Sequence, residues 1–540
     1  MPDVITGFMS ADILQSPLLW TLIALQIAMG GFDVIFHHEL TERLAWKDNA
    51  SGELRLHAWR NVFYGFLFTF FAWVQPHGAI AIAVLIILVV EIIITLWDFV
   101  EEDQTRKLPP TERVLHTLLA INYGAILALV MPLLVMWAGQ PTGVDVVSYG
   151  FGSLILTLAG IGCIGFAIRD TFTSRRAARF QPSSPAALAG ILHGKRSVLI
   201  TGGTGLVGKS LADSLIASGH DVTVLTRDMA KVTGLNAPVR MITSLEQVES
   251  TTAIDAIVDL AGEPVAGGLW TRARKREILL SRLHMSRRVN ALVARLEKKP
   301  EVVISASAVG AYGLTGDDIL TEADAAPGYD HNAPSTRRAR VFTHRVCLAR
   351  EEEAAKVRAQ GVRFVALRIG LVLDRDGGLL SRMVPAFDLG LGGPIGDGQQ
   401  WMSWIALPDL VRLIAFAIQS DELDGAVNAT APTPVRNATF AKSLGTVLHR
   451  PAILPVPGWP LETVLGDFAR ELLLGGQRVV PLKVTSAGFS FQANTINSGL
   501  RLALRLPDTV ASRREAVIRI NADARARSKQ QVSGAVAHKV

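Results

Sequence analysis

Five apolar segments crowd the first third of this chain, at about 17–36, 61–76, 79–98, 115–138 and 147–168. A bilayer-spanning helix needs roughly 20 apolar residues, and in lipid its backbone polar groups must be satisfied within the segment. Residues 1–170 therefore read as an all-α domain of five transmembrane helices. The second segment is the shortest. No Lys or Arg precedes the first one, unlike the basic leader of a cleaved signal peptide. Over the whole chain the mean hydropathy is +0.32 and 49% of residues are hydrophobic. That excess is local to the first 170 residues, so the remainder reads as soluble domains.

The basic residues orient the helices. Before residue 180 they are Arg43, Lys47, Arg55, Arg60, Arg106, Lys107, Arg113, Arg169, Arg175, Arg176 and Arg179. With the N-terminus outside and five spans, all of them fall on one side, and the loops 1–16, 77–78 and 139–146 carry none. The positive-inside rule places everything from residue 169 onward in the cytosol, as a multi-pass protein of the inner membrane. The net charge of +6 and pI near 9.4 then belong to a lipid surface rather than to a nucleic-acid site. Cys163 and Cys347 are the only cysteines, too few for a disulfide framework or a thiolate metal site.

The polar residues of the helices are not scattered. Glu91, Thr95, Asp98 and Glu102 recur at helical spacing. His37, His38, Glu39 and Glu42 close the first segment, His57 opens the second, and Glu112 and His116 lie one turn apart at the start of the fourth. The topology gathers His37, His38, His57, Asp98, Glu102, Glu112 and His116 at the cytosolic end. A metal or polar-head-group site there predicts that at least three of these side chains converge within about 5 Å. Ion pairing of the carboxylates with Arg43, Arg60 and Arg113 is the alternative. Di-iron bundles use Glu-x-x-His, whereas Glu112 and His116 are four apart. Glu91, deep in its segment, needs a partner or a proton.

Residues 171–195 are basic and contain Gln181-Pro182-Ser183-Ser184-Pro185, a surface linker. The pattern then changes. Ser197–Thr201 is a short apolar strand, followed by Gly202-Gly203-Thr204-Gly205-Leu206-Val207-Gly208, an amphipathic helix to about Ser218 and a second strand at 221–226. Those glycines let a pyrophosphate approach the backbone at a helix N-terminus. Thr226-Arg227 ends the second strand where NAD enzymes usually carry an acidic residue, so a 2′-phosphate, hence NADP(H), is favoured. Asp228 stands beside them. Further strands at 255–260, 302–306 and 363–369 alternate with helices, which predicts a mainly parallel sheet covered on both faces.

Residues 197–500 resemble the YfcH-like, nucleoside-diphosphate-sugar-epimerase-like family of atypical extended short-chain dehydrogenases/reductases. The motifs are T-G-G-T-G-L-V-G at 201–208, L-A-G-E at 260–263, W-T-x-x-x-K at 270–275, S-A-V-G-A-Y-G at 307–313, G-G-P-I-G-D-G-Q-Q-W-M-S-W-I at 392–405 and N-A-T-A-P at 428–432. R-P-A-I-L-P-V-P at 450–457 and A-G-F-S-F at 487–491 match that family's small C-terminal domain. The resemblance implies a Rossmann domain over 196–450, a small domain over 451–500 and a cofactor lined also by Leu260, Ala261 and Gly262. It puts a substrate-polarising serine at Ser307, with Tyr312 behind it, and Trp401 and Trp404 on the substrate side. It also implies a Tyr-x-x-x-Lys pair, yet none of Tyr64, Tyr123, Tyr149, Tyr312 and Tyr329 has Lys four residues later. Phe342-Thr-His-Arg-Val346 stands where the pair is expected, and Ala406 and Pro408 replace His and Asp of relatives. Glu263 and His344 are the other groups able to move a proton.

Three functions follow as expectations. One is a membrane-anchored NADP(H)-dependent oxidoreductase or epimerase acting on a small or lipid-linked substrate. A second is a non-catalytic NADP(H) sensor or scaffold; plastid and cyanobacterial members of the resembled family are associated with division machinery. The third is electron transfer to a metal in the membrane domain, for which no flavin motif is seen. The tail 501–540, with nine Lys or Arg against three acidic residues, is expected to be disordered near anionic lipid.

Overall fold

The computed structural model describes residues 11–180, 184–227, 239–324 and 341–507. The chain divides between residues 182 and 183 into two compact units. The linker residues 181–183, Asp228, Tyr329 and the tail from 508 onward lie outside the described residues.

Five long helices build the first unit: α1 (Pro17–Phe32), α2 (Ser51–Trp73), α3 (Ala79–Thr105), α4 (Pro110–Ala138) and α5 (Phe151–Ala177). The helix of α1 continues through Asp33–Thr41 as a wider π-helical turn, closed by the bond from Glu42 N–H to the His37 carbonyl. Four segments, Pro17–Trp46, Ala79–Thr105, Pro110–Ala138 and Phe151–Ala177, are long and apolar enough to cross a membrane by length and composition. The expected fifth span differs. Its helix starts ten residues earlier than the apolar segment and carries Glu53, Arg55, His57 and Arg60 in its first half.

The unit buries an apolar core around Leu67, Leu88, Leu133 and Trp137 and, beside it, a set of polar side chains. On α3, Glu91, Asp98 and Glu102 are buried while Ile86, Ile93, Leu96 and Trp97 are exposed. Tyr123 and Thr95 donate hydrogen bonds to Glu91, which supplies the partner its depth requires. Helices α2 and α5 lie backbone to backbone at Gly65 and Gly160, where a Cβ on Gly160 would stand 3.0 Å from the Gly65 carbonyl oxygen. An antiparallel pair, Val74–His77 with Gly143–Val146, joins the loops at one end.

The second unit is a seven-stranded parallel sheet. Its strands are β1 (Ser197–Thr201), β2 (Asp221–Leu225), β3 (Arg240–Ile242), β4 (Ala256–Asp259), β5 (Val302–Ala308), β6 (Arg363–Ile369) and β7 (Gly425–Ala429). Their spatial order is β3-β2-β1-β4-β5-β6-β7, with the order reversing between β1 and β4, the topological switch point of a Rossmann fold. Five strands match the sequence expectation closely, whereas β3 and β7 are too short or too polar to announce themselves. Helices α6 (Leu206–Ala217) and α9 (Leu407–Gln419) cover one face. Helices α7 (Arg272–Arg295) and α8 (Phe342–Ala354) are on the other, where Val289, Val293 and Ala354 join its core. Leu199, Ile200, Ile257, Val258, Val303 and Ile304 are accordingly buried, as both-face coverage requires.

The small C-terminal part is tied in at several points. Arg478–Val479 pairs with Ile319–Leu320. Asp409 accepts from the Gln492 and Ala493 amides. The last helix, α10 (Ile496–Ala503), runs past the expected boundary at 500, so the start of the predicted tail is folded.

Candidate functional site

The cradle at the switch point follows from three glycines. Gly202 has φ +70°, and a Cβ there would lie 2.9 Å from the Ala261 nitrogen, so β1 and β4 turn past each other only without one. Gly205 caps α6, and its amide donates to the Gly202 carbonyl (3.0 Å). A Cβ on Gly208 would collide with the Gly202 carbonyl oxygen and stand 2.8 Å from Gly203 Cα. Thr204, Leu206 and Val207 complete the turn, so the free N–H groups of the first turn of α6 are the natural anion donors. The Ala261 amide donates to Thr201 Oγ1 at 3.2 Å, which sets the Leu260–Gly262 segment beside the loop. Thr226 is buried, whereas the Arg227 side chain is 93% exposed and 3.8 Å from Glu263 Oε2.

A cavity of about 420 Å³ adjoins this cradle, lined by residues from the C-terminal ends of β5 and β6, from α7 and α8, and from the small C-terminal part. Its polar lining includes Ser307, Thr343, Cys347, Arg282, Arg350 and Glu471. Ser307 Oγ donates to Glu351 Oε1 (2.6 Å), and Glu351 is held by Arg368 at 2.9 and 3.0 Å. Arg350 ties the sheet together, donating to the Asp259 carbonyl (2.8 Å) and to Ser305 Oγ (3.2 Å). Arg282 donates to the carbonyls of Glu263 and Ile278. Burial, with Arg350 nearby, draws it down to about 10, so it stays charged at neutral pH. Burial pushes the Cys347 thiol up.

Family comparison agrees with this geometry. The family model described as "NAD dependent epimerase/dehydratase family" matches residues 198–429, and a "Domain of unknown function (DUF1731)" matches 456–503. The chain is 36% identical over 318 residues to "Epimerase family protein SDR39U1 homolog, chloroplastic" of Arabidopsis thaliana, covering 57% of this chain and 87% of that protein. It is 33% identical to "Epimerase family protein YfhF" of Bacillus subtilis, covering 56% of this chain and 96% of that one. The chain belongs to the NAD dependent epimerase/dehydratase family. Among solved structures, the human epimerase family protein SDR39U1 with NADPH is similar at a TM-score of 0.51 and 29% identity, covering 57% of this chain and 99% of that one.

Within an epimerase-family fold, several expected site residues sit elsewhere than in the cavity. Tyr312 is buried in a small core, its hydroxyl within 3.0 Å of the Thr321 carbonyl and 2.9 Å of Asn428 Oδ1. Burial raises that phenol, which keeps its proton in place. Glu263 is engaged by Arg274 (3.3 Å) and Arg227. Buried His344 bonds the Ala311 carbonyl (2.6 Å). Trp401 lines the cavity and bonds Asp317 (2.8 Å). Trp404, expected as a second apolar wall, is instead core: fully buried, its indole donates to the Thr433 carbonyl, and a Cβ on Gly499 of α10 would touch its ring. Thr343 and Cys347, one turn apart on α8, were missed by sequence reasoning. Their signal was present in the helical spacing of Phe342-Thr343 and Val346-Cys347, but a Thr and a Cys carry no motif.

In the helical unit the expected polar cluster is assembled. Ligand-type atoms of Asp33, His38, Glu112 and His116 lie within 4.8 Å of one another, as do those of His38, His57 and Glu102. His37 joins through Asp33 (2.8 Å), and Asp98 through His57 (3.1 Å). Asp33 escaped sequence reasoning because it falls inside an apolar run. Of the expected arginine partners, Arg60 pairs with Asp98, and Arg113 reaches Asp103 on the surface (3.6 Å). The main counter-ion is Arg106, which grips Glu53 and Glu112.

Proposed function

We propose that this chain is a membrane-anchored, NADP(H)-binding protein whose Rossmann unit performs oxidoreductase or epimerase chemistry on a small or lipid-linked substrate bearing an anionic group. The glycine cradle at the β1/β4 switch point carries the nucleotide part of this reading. Arg227 favours NADP(H): it is exposed, extends from the end of β2, and among the described residues has a 3.8 Å ion pair with Glu263 to give up. The related human protein is described with NADPH. The anionic substrate follows from Arg282, a charged guanidinium that lines the cavity and bonds backbone carbonyls.

Within the cavity, Ser307 is the group placed to polarise a carbonyl or hydroxyl, with Glu351 as its hydrogen-bond acceptor. A second reading, a sensor or scaffold that binds NADP(H) without turnover, rests on one observation. Among the described residues the cavity lining includes neither Tyr nor Lys, so the usual proton-transfer pair is lacking there. The membrane part is supported by the four long apolar helices; with Ser51–Trp73 counted as a fifth span, the basic loops fall on one side, which favours a cytosolic second unit.

Arg227→Asp tests the cofactor reading. Losing one charge-assisted contact and adding repulsion should weaken NADPH at least tenfold, about 1.4 kcal/mol, in calorimetric titration, with NADH little changed. Equal losses for both nucleotides would assign Arg227 to the fold rather than to the phosphate.

A further inference from the structure

The buried cluster in the helical unit is not used by the nucleotide chemistry, and its geometry is that of a ligand set. The π-helical turn after α1 brings Asp33, His37 and His38 to the inside together, an irregularity that recurs at functional sites. Around them stand His57 of α2, Glu102 of α3 and His116 of α4. His116 Nε2 is 3.0 Å from Asp33 Oδ2, and its Nδ1 is 3.2 Å from Glu102 Oε2. His38 Nε2 is 3.4 Å from Asp33 Oδ2, and His57 Nε2 is 3.5 Å from Glu102 Oε1. Imidazole and carboxylate ligands sit about 2.0–2.2 Å from a first-row dication, which spaces neighbouring donor atoms roughly 2.9–3.5 Å apart.

Hydrogen bonding accounts for only part of the arrangement, the contacts of Asp33 with His37 and His116. Nε2 of His38, Nε2 of His57 and both carboxylate oxygens of Glu102 have no hydrogen-bond partner among the described residues. Glu102 is 1% exposed, His57 6% and His38 8%. Their atoms approach one another without donor–acceptor alignment, in a buried place where an unpaired polar group is costly. The charges point the same way. Arg60 takes Asp98, and Arg106 takes Glu53 and Glu112. Among the described residues the ion-pair partners of Asp33 are imidazoles, and Glu102 meets a guanidinium no nearer than 3.9 Å. A dication among His38, His57 and Glu102 offsets that carboxylate while using neutral imidazole lone pairs.

We propose that His38, His57 and Glu102, whose ligand atoms lie within 4.8 Å of one another, form a binding site for a divalent first-row transition metal, with Asp33 and His116 hydrogen-bonded to each other beside it. The donors are nitrogen and oxygen without thiolate, a set that suits iron(II), manganese(II) or zinc(II). His37 and Asp33 are positioning residues: His37 Nδ1 holds Asp33 Oδ1 at 2.8 Å, and Asp33 Oδ2 stands 3.4 Å from His38, as outer-shell partners of metal ligands do. A cavity of about 290 Å³, bordered by Asp33, His38, His57, Arg60 and Tyr64, adjoins the cluster and gives a small molecule access to the ion. The assignment is independent of the nucleotide-binding reading.

The test uses the full-length protein in detergent, stripped with chelator and then offered iron(II), manganese(II), cobalt(II) or zinc(II) separately under reducing conditions. Elemental analysis after desalting should find at least about one equivalent of one of these ions. Glu102→Gln and His57→Ala should each lower retention at least tenfold, and His37→Gln should lower affinity by roughly 10–100-fold. Helical circular dichroism checks that each variant folds. Should the ligand variants unfold, manganese-loaded wild type decides alone: pulsed electron paramagnetic resonance should show coupling to histidine nitrogen. No ion retained, retention unchanged in both folded variants, or manganese without nitrogen coupling would each overturn the assignment. The cluster would then be a network of imidazolium–carboxylate pairs.

Discussion

Gly205 and Gly208 line one loop but serve different needs, and replacing each by alanine should separate them. At Gly208 the added Cβ would overlap the Gly202 carbonyl and sit 2.8 Å from Gly203 Cα, roughly 0.7 Å inside ordinary carbon–carbon contact. Both obstacles are backbone, so the start of α6 must move away from β1. Overpacking of this kind costs about 1–3 kcal/mol, and it should appear as a lowered melting temperature without any nucleotide. The displaced helix turn also misaims the N–H groups that face the pyrophosphate. Two charge-assisted bonds at about 1.5 kcal/mol each amount to roughly 3 kcal/mol, about a hundredfold in NADPH affinity. At Gly205 the nearest neighbour of an added Cβ is the Gly202 carbonyl oxygen at 3.3 Å, and its φ of −80° suits alanine. Gly205→Ala should therefore melt like wild type and still lose NADPH, because its Cβ occupies the approach of the phosphate. Thermal unfolding and calorimetric titration of the full chain read both quantities. The reasoning fails if Gly205→Ala destabilises the nucleotide-free protein as Gly208→Ala does, or if either variant binds NADPH within threefold of wild type.

The two tryptophans should part in the same way. Trp404→Ala, a fully buried ring, should cost about 3–5 kcal/mol of stability, while Trp401→Ala at the cavity wall should leave melting nearly unchanged. Comparable melting of the two variants would return Trp404 to the substrate side. In a Cys163→Ser background Cys347 is the sole thiol. Because burial raises it, iodoacetamide at pH 8 should label the native protein at least about tenfold more slowly than the urea-unfolded chain. The sign carries to stability, since raising pH past the ordinary thiol range favours the unfolded state, which releases the proton first. Equal labelling rates would place the thiol in solvent. Reporter fusions at residues 10 and 185 should lie on opposite sides of the membrane. A cytosol-only reporter active at both would remove the five-span topology.

Much of this protein is written in local pattern. The strand at 197–201, the glycine turn and the helix after it need only neighbours a few residues away, so their periodicity and backbone demands were legible directly. The same holds for the apolar helices and for the acidic stripe of α3, whose i, i+4 and i+7 spacing is a property of one helix. Boundaries were less legible where polarity and helicity part company: the helix Ser51–Trp73 is longer than its apolar segment because its first half buries Glu53 and His57 in the polar cluster.

What only the tertiary structure decided is which of these faces meet. Asp33 and His116 are 83 residues apart, and Arg106 reaches Glu53 across 53; no local spacing encodes either contact. Trp401 and Trp404 look alike in sequence, yet one lines a cavity and the other is sealed under α10, because Gly499 lets that helix lie on the ring. Ser307 and Cys347 come from a strand and a helix 40 residues apart and line the same cavity. Sequence alone determined the strongly periodic elements and their amphipathic faces, since those depend on residues in register along one segment, whereas short or polar strands such as β3 and β7 were decided by the sheet they join. The packing of segment on segment determined the sites, since a cavity or a ligand set exists only where side chains from distant segments share one small volume.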